Sequence, residues 1–174
     1  MDGKENGPFE LYYEGGSVYQ KGNYLNGLFE GELRLFHENG KLKELHYYKN
    51  GKLHGTSNGY YQNDSLSFII DYKNGIEDGK WEYYYSWGKL TAQGTKINGR
   101  FNGSYTTFHK NGLPHKMYRY ENGKINGGFS SFNELGSPLL KSNYVNDSLD
   151  GSYEIYYNNA TKEYAGVNQI TEKG

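Results

Sequence analysis

Glycine recurs at a fixed interval of 24 residues along this chain, at 7, 31, 55, 79, 103, 127 and 151. Seven occurrences without a gap make the chain a tandem array, so the unit to be folded is one short repeat copied seven times. Counting that glycine as place 0, place 19 is Asn at 26, 50, 74, 98, 122 and 146, followed by Gly in five cases and by Asp147 in the sixth. Place 5 is aromatic throughout: Tyr12, Phe36, Tyr60, Tyr84, Phe108, Phe132 and Tyr156. Gly31, Asn50, Gly51, Gly79, Trp81 and Gly103 are taken as repeat-defining structural residues.

Each unit reads as a β-hairpin. Residues 31–54 run GELRLFHENGKLKELHYYKNGKLH, two Leu/Tyr/Phe-rich stretches separated by Asn39-Gly40 and closed by Asn50-Gly51. Asn-Gly accepts positive φ at both central positions, the requirement of a two-residue type I′ turn, and Asn111-Gly112 repeats the signal. Helices have nowhere to form among glycines spaced this closely. The expectation is an all-β fold: one elongated, twisted antiparallel sheet of about 14 strands in a single repeat domain spanning 1–174. Its repeats are 7–30, 31–54, 55–78, 79–102, 103–126, 127–150 and a degenerate 151–174.

With places 8 and 9 as the turn, place 2 faces place 15, setting Phe9 against Gly22, Trp81 against Gly94 and Tyr153 against Gly166. A ring over a bare strand glycine fills the space that the glycine leaves. Places 2, 4, 6, 11, 15 and 17 then share an apolar face, face A. Places 1, 3, 10, 12 and 16 share a polar face B with the place 5 rings, which a β-bulge would turn inward.

Leu, Ile, Val and Phe supply only 33 of 174 residues, a proportion that would suggest disorder if charge repulsion accompanied it. The 19 basic and 20 acidic residues cancel, and 20 tyrosines provide the missing apolar area. The core is aromatic. The near-neutral total argues against nucleic-acid binding driven by bulk charge. With no Cys there is neither a disulfide framework nor a thiolate metal site, and no apolar run suggests a transmembrane segment.

The unit YY.NGKL......Y.NGKL.G, carried by FHENGKLKELHYYKNGKLHG (36–55) and YYSWGKLTAQGTKINGRFNG (84–103), resembles the MORN-repeat variant over about residues 7–157. The resemblance implies a non-enzymatic interaction scaffold with a protein partner. Its most concrete version is an antitoxin or immunity protein that neutralises a cognate toxin. An exported or surface structural repeat protein and a peripheral anionic-membrane binder are the alternatives. The compartment stays open between the cytoplasm and export with removal of a signal peptide.

A catalytic constellation should occur once, whereas these candidate residues recur. His37 and His109 share place 6 three repeats apart, roughly 29 Å by strand spacing, so they cannot share a metal. Glu10, Glu82 and Glu154 recur at place 3 as ordinary charged positions. No catalytic residue, metal ligand or cofactor is expected. Charge distribution is more informative: residues 83–120 hold no Asp or Glu but contain Lys89, Lys96, Arg100, Lys110, Lys116 and Arg119. Lys89, Lys110 and Arg119, on or near face B beside Tyr84 and Phe108, form the candidate partner-binding patch, suited to acidic protein groups or anionic lipid.

Overall fold

The structure is a computed structural model that describes residues 3–157 and 161–168. Two compact units divide the chain, Met1–Gly88 and Lys89–Gly174, and the division falls at the place 8–9 turn of the fourth repeat.

The first unit contains β1 (Gly7–Tyr12), β2 (Val18–Leu25), β3 (Leu28–Phe29), β4 (Gly31–Phe36), β5 (Leu42–Lys49), β6 (Lys52–Leu53), β7 (Gly55–Tyr60), β8 (Leu66–Lys73) and β9 (Ile76–Tyr84). The second contains β10 (Leu90–Ile97), β11 (Arg100–Phe108), β12 (Pro114–Glu121), β13 (Lys124–Ile125), β14 (Gly127–Phe132), β15 (Pro138–Val145), β16 (Ser148–Tyr157) and β17 (Thr161–Asn168). Within each unit every described pairing is antiparallel, between strands that are consecutive or separated only by a two-residue strand, and the described residues include no helix. The all-β hairpin fold is therefore observed. Seventeen strands stand where about 14 were expected because three of the expected strands are interrupted just before place 0, leaving the two-residue strands β3, β6 and β13.

The glycine period has a backbone cause. All seven place 0 glycines adopt positive φ, from 75° at Gly151 to 131° at Gly79. Gly31 sits where β2 changes register, from Tyr24↔Phe29 to Gln20↔Leu35, leaving two extra residues on the partner side. The same offset recurs at Gly55, Gly79, Gly103, Gly127 and Gly151 and needs a residue for which left-handed backbone carries no Cβ penalty. At Gly79 a Cβ would also lie 2.8 Å from Asp71 Cβ.

The two kinds of turn differ although both can contain Asn-Gly. At places 19–20, Asn50 (φ 51°) and Gly51 (φ 73°) are both left-handed, as at the other Asn-Gly pairs and at Asn146-Asp147. These are the two-residue I′ turns. At places 6–10 only the place 9 residue has positive φ. Gly40 N donates to His37 O at 2.9 Å and His37 N donates to Lys41 O at 2.8 Å, so a type I turn closes into a left-handed bulge residue. The I′ expectation for Asn39-Gly40 and Asn111-Gly112 is thus corrected. Place 8 needs no positive φ, which is why Trp87 is tolerated there. Asn at place 8 serves as a side-chain acceptor: Asn39 Oδ1 receives Lys41 N at 3.1 Å and Asn111 Oδ1 receives Leu113 N at 2.9 Å.

Place 2 faces place 15 as expected in Phe9↔Gly22, Leu33↔His46, Ser57↔Ile70, Tyr105↔Tyr118 and Phe129↔Ser142. The seventh hairpin slips, and Tyr153 pairs with Ala165 instead of Gly166. A bulge follows place 4 in five hairpins, so place 5 opposes place 11: Tyr12↔Val18, Phe36↔Leu42, Tyr60↔Leu66, Phe108↔Pro114 and Phe132↔Pro138. Opposed residues share a face, so place 11 belongs with the place 5 rings on face B. Place 12 is left on the place 6 side, where Tyr13 meets Tyr19 and His109 meets His115. The assignment of place 11 to face A and place 12 to face B is therefore reversed. Tyr12 is exposed, and the other six place 5 rings are half-buried.

Successive repeats are tied together at their turns. Gly51 N donates to Phe29 O, Gly75 N to Leu53 O and Gly123 N to Phe101 O, at 2.7 to 3.0 Å. The place 21 side chain lies against the next turn, with Leu28 Cδ2 only 3.1 Å from where a Gly51 Cβ would project. Residues 4–6 make the same contacts for the first turn: Glu5 O accepts from Gly27 N, and Asn6 Oδ1 accepts from Asn26 N. Gly51→Ala combines left-handed strain with this contact and should cost about 1–3 kcal/mol in chemical denaturation. Asn39→Ala, at a right-handed position, should cost clearly less.

Candidate interaction surface

Face A carries an aromatic ladder in both units. Phe9 and Tyr24 have centroids 4.8 Å apart, Tyr24 and Phe29 4.7 Å, and Phe29 and Tyr48 5.2 Å. Trp81, which pairs with Ile70 across β8 and β9, lies 4.9 Å from Tyr83. In the second unit the ladder runs Phe101–Tyr105–Tyr118–Phe129–Tyr144 at 5.0, 5.8, 4.9 and 6.2 Å. Places 2, 15 and 17 were legible as ring positions. Place 22, source of Phe29 and Phe101, was missed, although its place 17 partner was in view. Most rings of the ladder are half-buried: Tyr83 is exposed, no described tyrosine is buried, and Leu33, Ile70, Ala92 and Phe129 are the buried apolar residues among the described ones.

One polar cluster interrupts the first unit's face. His46 Nδ1 lies 2.9 Å from Ser57 Oγ and its Nε2 2.9 Å from Glu44 Oε2. With Nε2 protonated toward Glu44, Nδ1 accepts the Ser57 hydroxyl proton. This order of groups is that of a nucleophile, base and orienting acid. Ser57 is only 1% exposed, however, so a substrate carbonyl cannot reach its oxygen, and the cluster serves to satisfy buried polar groups. The bond from His46 holds the Glu44 carboxyl below its usual pKa, outweighing burial. Ionised Glu44 thus contributes stability above the ordinary carboxylate range, and the contribution is lost as pH falls through its lowered folded value. Glu44→Gln should cost about 1 kcal/mol at neutral pH and flatten the acid limb of a thermal-stability profile.

Four place 6 side chains are staples. Tyr13 and Tyr61 hydroxyls donate to Phe36 O and Tyr84 O at 2.7 Å, and His37 and His109 Nε2 lie 3.0 and 2.9 Å from Tyr60 O and Phe132 O. Each reaches a carbonyl 23 residues ahead. The described residues contain no group of His, Asp and Glu able to hold a metal ion.

The expected cationic patch does not assemble as one site. Lys89 Nζ donates to Asn111 O, and its stem lies along Gly112 at the place 6–10 end of the second unit. Lys110 is exposed in that same turn. Arg119 pairs with Ser104, four residues along β11 from the Phe108↔Pro114 pair, about 13 Å away by strand rise. Lys96 and Lys116 lie on face A, the former 4.7 Å over the Phe101 ring. In the first unit, Tyr84 donates its hydroxyl to Glu82 Oε2 at 2.5 Å, and Glu82 also pairs with Lys80 Nζ at 2.9 Å. Burial, then the bond to Glu82, pushes the Tyr84 hydroxyl up to about 12. Tyr84 is committed to an acid within its own strand. In a tyrosine NMR titration, Glu82→Gln should return Tyr84 toward the ordinary range.

Phe101, Tyr105, Tyr118 and Tyr120 wall a depression of about 410 Å³ on face A of the second unit, completed by Thr107, His115 and Lys116. Burial, reinforced by neighbouring His109 and Lys116, lowers the His115 pKa. Thr107 and Lys116 are direct cross-strand partners, and Thr107 Oγ1 is buried with no hydrogen-bond partner among the described residues.

The MORN repeat variant model matches residues 5–26, 29–50 and 53–74. The matches begin at place 22, the position whose carbonyl receives the next turn, and follow one another at the observed period of 24. Residues 5–74 are thus similar to three successive MORN-variant repeats, a non-enzymatic repeat type that generally mediates protein or membrane interactions. No curated protein matches the chain.

Proposed function

We propose that this protein is a protein-binding scaffold whose contact surface is the aromatic ladder of face A. The accessibility of the tyrosines carries this reading: the rings are held in fixed pairs while retaining surface for a partner. Tyrosine suits an interface because it offers a large, stiff, amphipathic area at little entropic cost. The finer version is an antitoxin or immunity protein that occludes a cognate toxin. Lys89, Lys110 and Arg119, with Phe108 nearby and Tyr84 in the other unit, would then contribute long-range attraction to an acidic partner without forming one pocket.

The test mixes the full chain with the product of the gene adjacent to its own and measures complex formation. Tyr48→Ser and Tyr120→Ser, one on face A of each unit, should weaken the complex at least about tenfold, whereas face B Tyr47→Ser should leave it near wild type. Reversing the charges of Lys89, Lys110 and Arg119 should lower the association rate and flatten its salt dependence. Equal losses from both faces would remove face A from the mechanism. A wild-type complex that does not form would remove the toxin-neutralising version.

A further inference from the structure

Asn-Gly occurs eleven times in the chain, and each occurrence carries the groups for a reaction of the backbone with itself. Glycine has no side chain to shield its nitrogen, which on losing its proton can attack the amide carbon of the preceding asparagine. Attack requires the local structure to open, so the fold decides which asparagine reacts. At the two-residue turns the attacking nitrogen is tied down: Gly27, Gly51, Gly75 and Gly123 each donate to a carbonyl outside the turn. A side chain also covers each of these glycines, 3.1 to 3.7 Å from where a Cβ would project. Asn58, Asn102 and Asn126 are half-buried with side chains against the following glycine, and Asn98 is partnered. The Asn6 amide is held at both ends, by Lys4 O and Asn26 N.

Two Asn-Gly pairs remain, in the same type of turn, and they differ in their restraints. In both, the glycine N–H donates back within the turn and the asparagine Oδ1 accepts the backbone N–H two residues on. At Asn111, Nδ2 also donates to Glu134 O, Lys89 Nζ donates to Asn111 O, and the Lys89 stem lies 3.2 Å from the Gly112 Cβ position. Asn39 lacks all three. The residue corresponding to Lys89 is Ser17, whose short side chain bonds Glu38 O at 3.1 Å instead. Among the described residues Asn39 Nδ2 has no acceptor, and nothing lies within 4 Å of the Gly40 Cβ position. Asn39 is also exposed.

We infer that Asn39 is the site at which the folded chain modifies its own backbone. The Gly40 nitrogen bonds to Asn39 Cγ, the Cγ–Nδ2 bond breaks, and Nδ2 leaves as ammonia with the proton that Gly40 gave up. Water then opens the cyclic imide at either carbonyl, leaving an aspartyl or an isoaspartyl residue. The net change is hydrolysis of one amide, with no oxidant or cofactor. The isoaspartyl product lengthens the backbone by one methylene, so the Gly40 N–H no longer meets His37 O in the same turn, and it places a new carboxylate next to Glu38.

Peptide mass spectrometry of the full chain held in mildly alkaline buffer tests the assignment, with an isoaspartyl methyltransferase marking the rearranged product. Asn39 should convert at least about tenfold faster than Asn111 or the asparagines of the two-residue turns, since each extra hydrogen bond that must open slows the reaction about fivefold. In concentrated urea the rates should converge, because the dipeptide is the same at every site. Lys89→Met, folded as judged by thermal melting, should raise the Asn111 rate about threefold or more and leave Asn39 unchanged. Conversion of Asn111 or of a two-residue turn as fast as Asn39 overturns the assignment. So does a ranking that persists in urea, or an Asn111 rate indifferent to Lys89→Met.

Discussion

Every other feature of this protein depends on the docking of each Asn-Gly turn onto the repeat before it. The turn's N–H groups need acceptors, and the preceding unit supplies them: Phe29 O for Gly51 and the Glu30 carboxylate for Asn50. That contact is possible because Gly51 has no Cβ, leaving room for Leu28. A lone hairpin of this length would be marginal, since it buries little apolar area and leaves both edges open. Repetition of the turn contact makes stability a sum over neighbours, and it forces the chain to keep its period of 24.

The two halves of each strand have different uses. Toward the Asn-Gly turns, places 2, 15, 17 and 22 carry the face A rings. Toward the place 6–10 turns, the bulge after place 4 sets place 5 against place 11 on the opposite face. Cations recur over the rings there, with Lys21 5.3 Å from the Phe36 centroid and Lys141 5.6 Å from that of Tyr156. The carbonyls of that half are taken up by Tyr13, His37, Tyr61 and His109. His37 and His109 are repeat staples, which explains their recurrence at place 6. Ser57, His46 and Glu44 show how a set of groups can match catalytic connectivity while burial denies it a substrate.

The repeat length, the all-β hairpin architecture, the place 2 to place 15 pairing and the Asn50-Gly51 type of turn follow from residue spacing, because backbone sterics leave few options for recurrent Asn and Gly. Residue spacing does not distinguish Asn39-Gly40 from Asn50-Gly51. Loop length decides between a type I turn with a left-handed bulge and a two-residue I′ turn, and only the strand register reveals that length. Nor does it place Leu42 or His115 on the correct face, because one extra residue reverses the alternation beyond it.

The candidate interaction surface divides in the same way. The tyrosine ladder and the acid-free interval from 83 to 120 are properties of the chain as written. The separation of Arg119 from Lys110, the commitment of Tyr84 to Glu82 and the meeting of Thr107 with Lys116 arise from rung position and cross-strand pairing. The sequence alone therefore establishes the period, the hairpins and the ring-rich face, since these depend on local backbone preference and strand alternation. Folding in three dimensions alone determines which charges are neighbours and which hydroxyl lacks a partner, because bulges and register bring together residues whose sequence separation carries no such information.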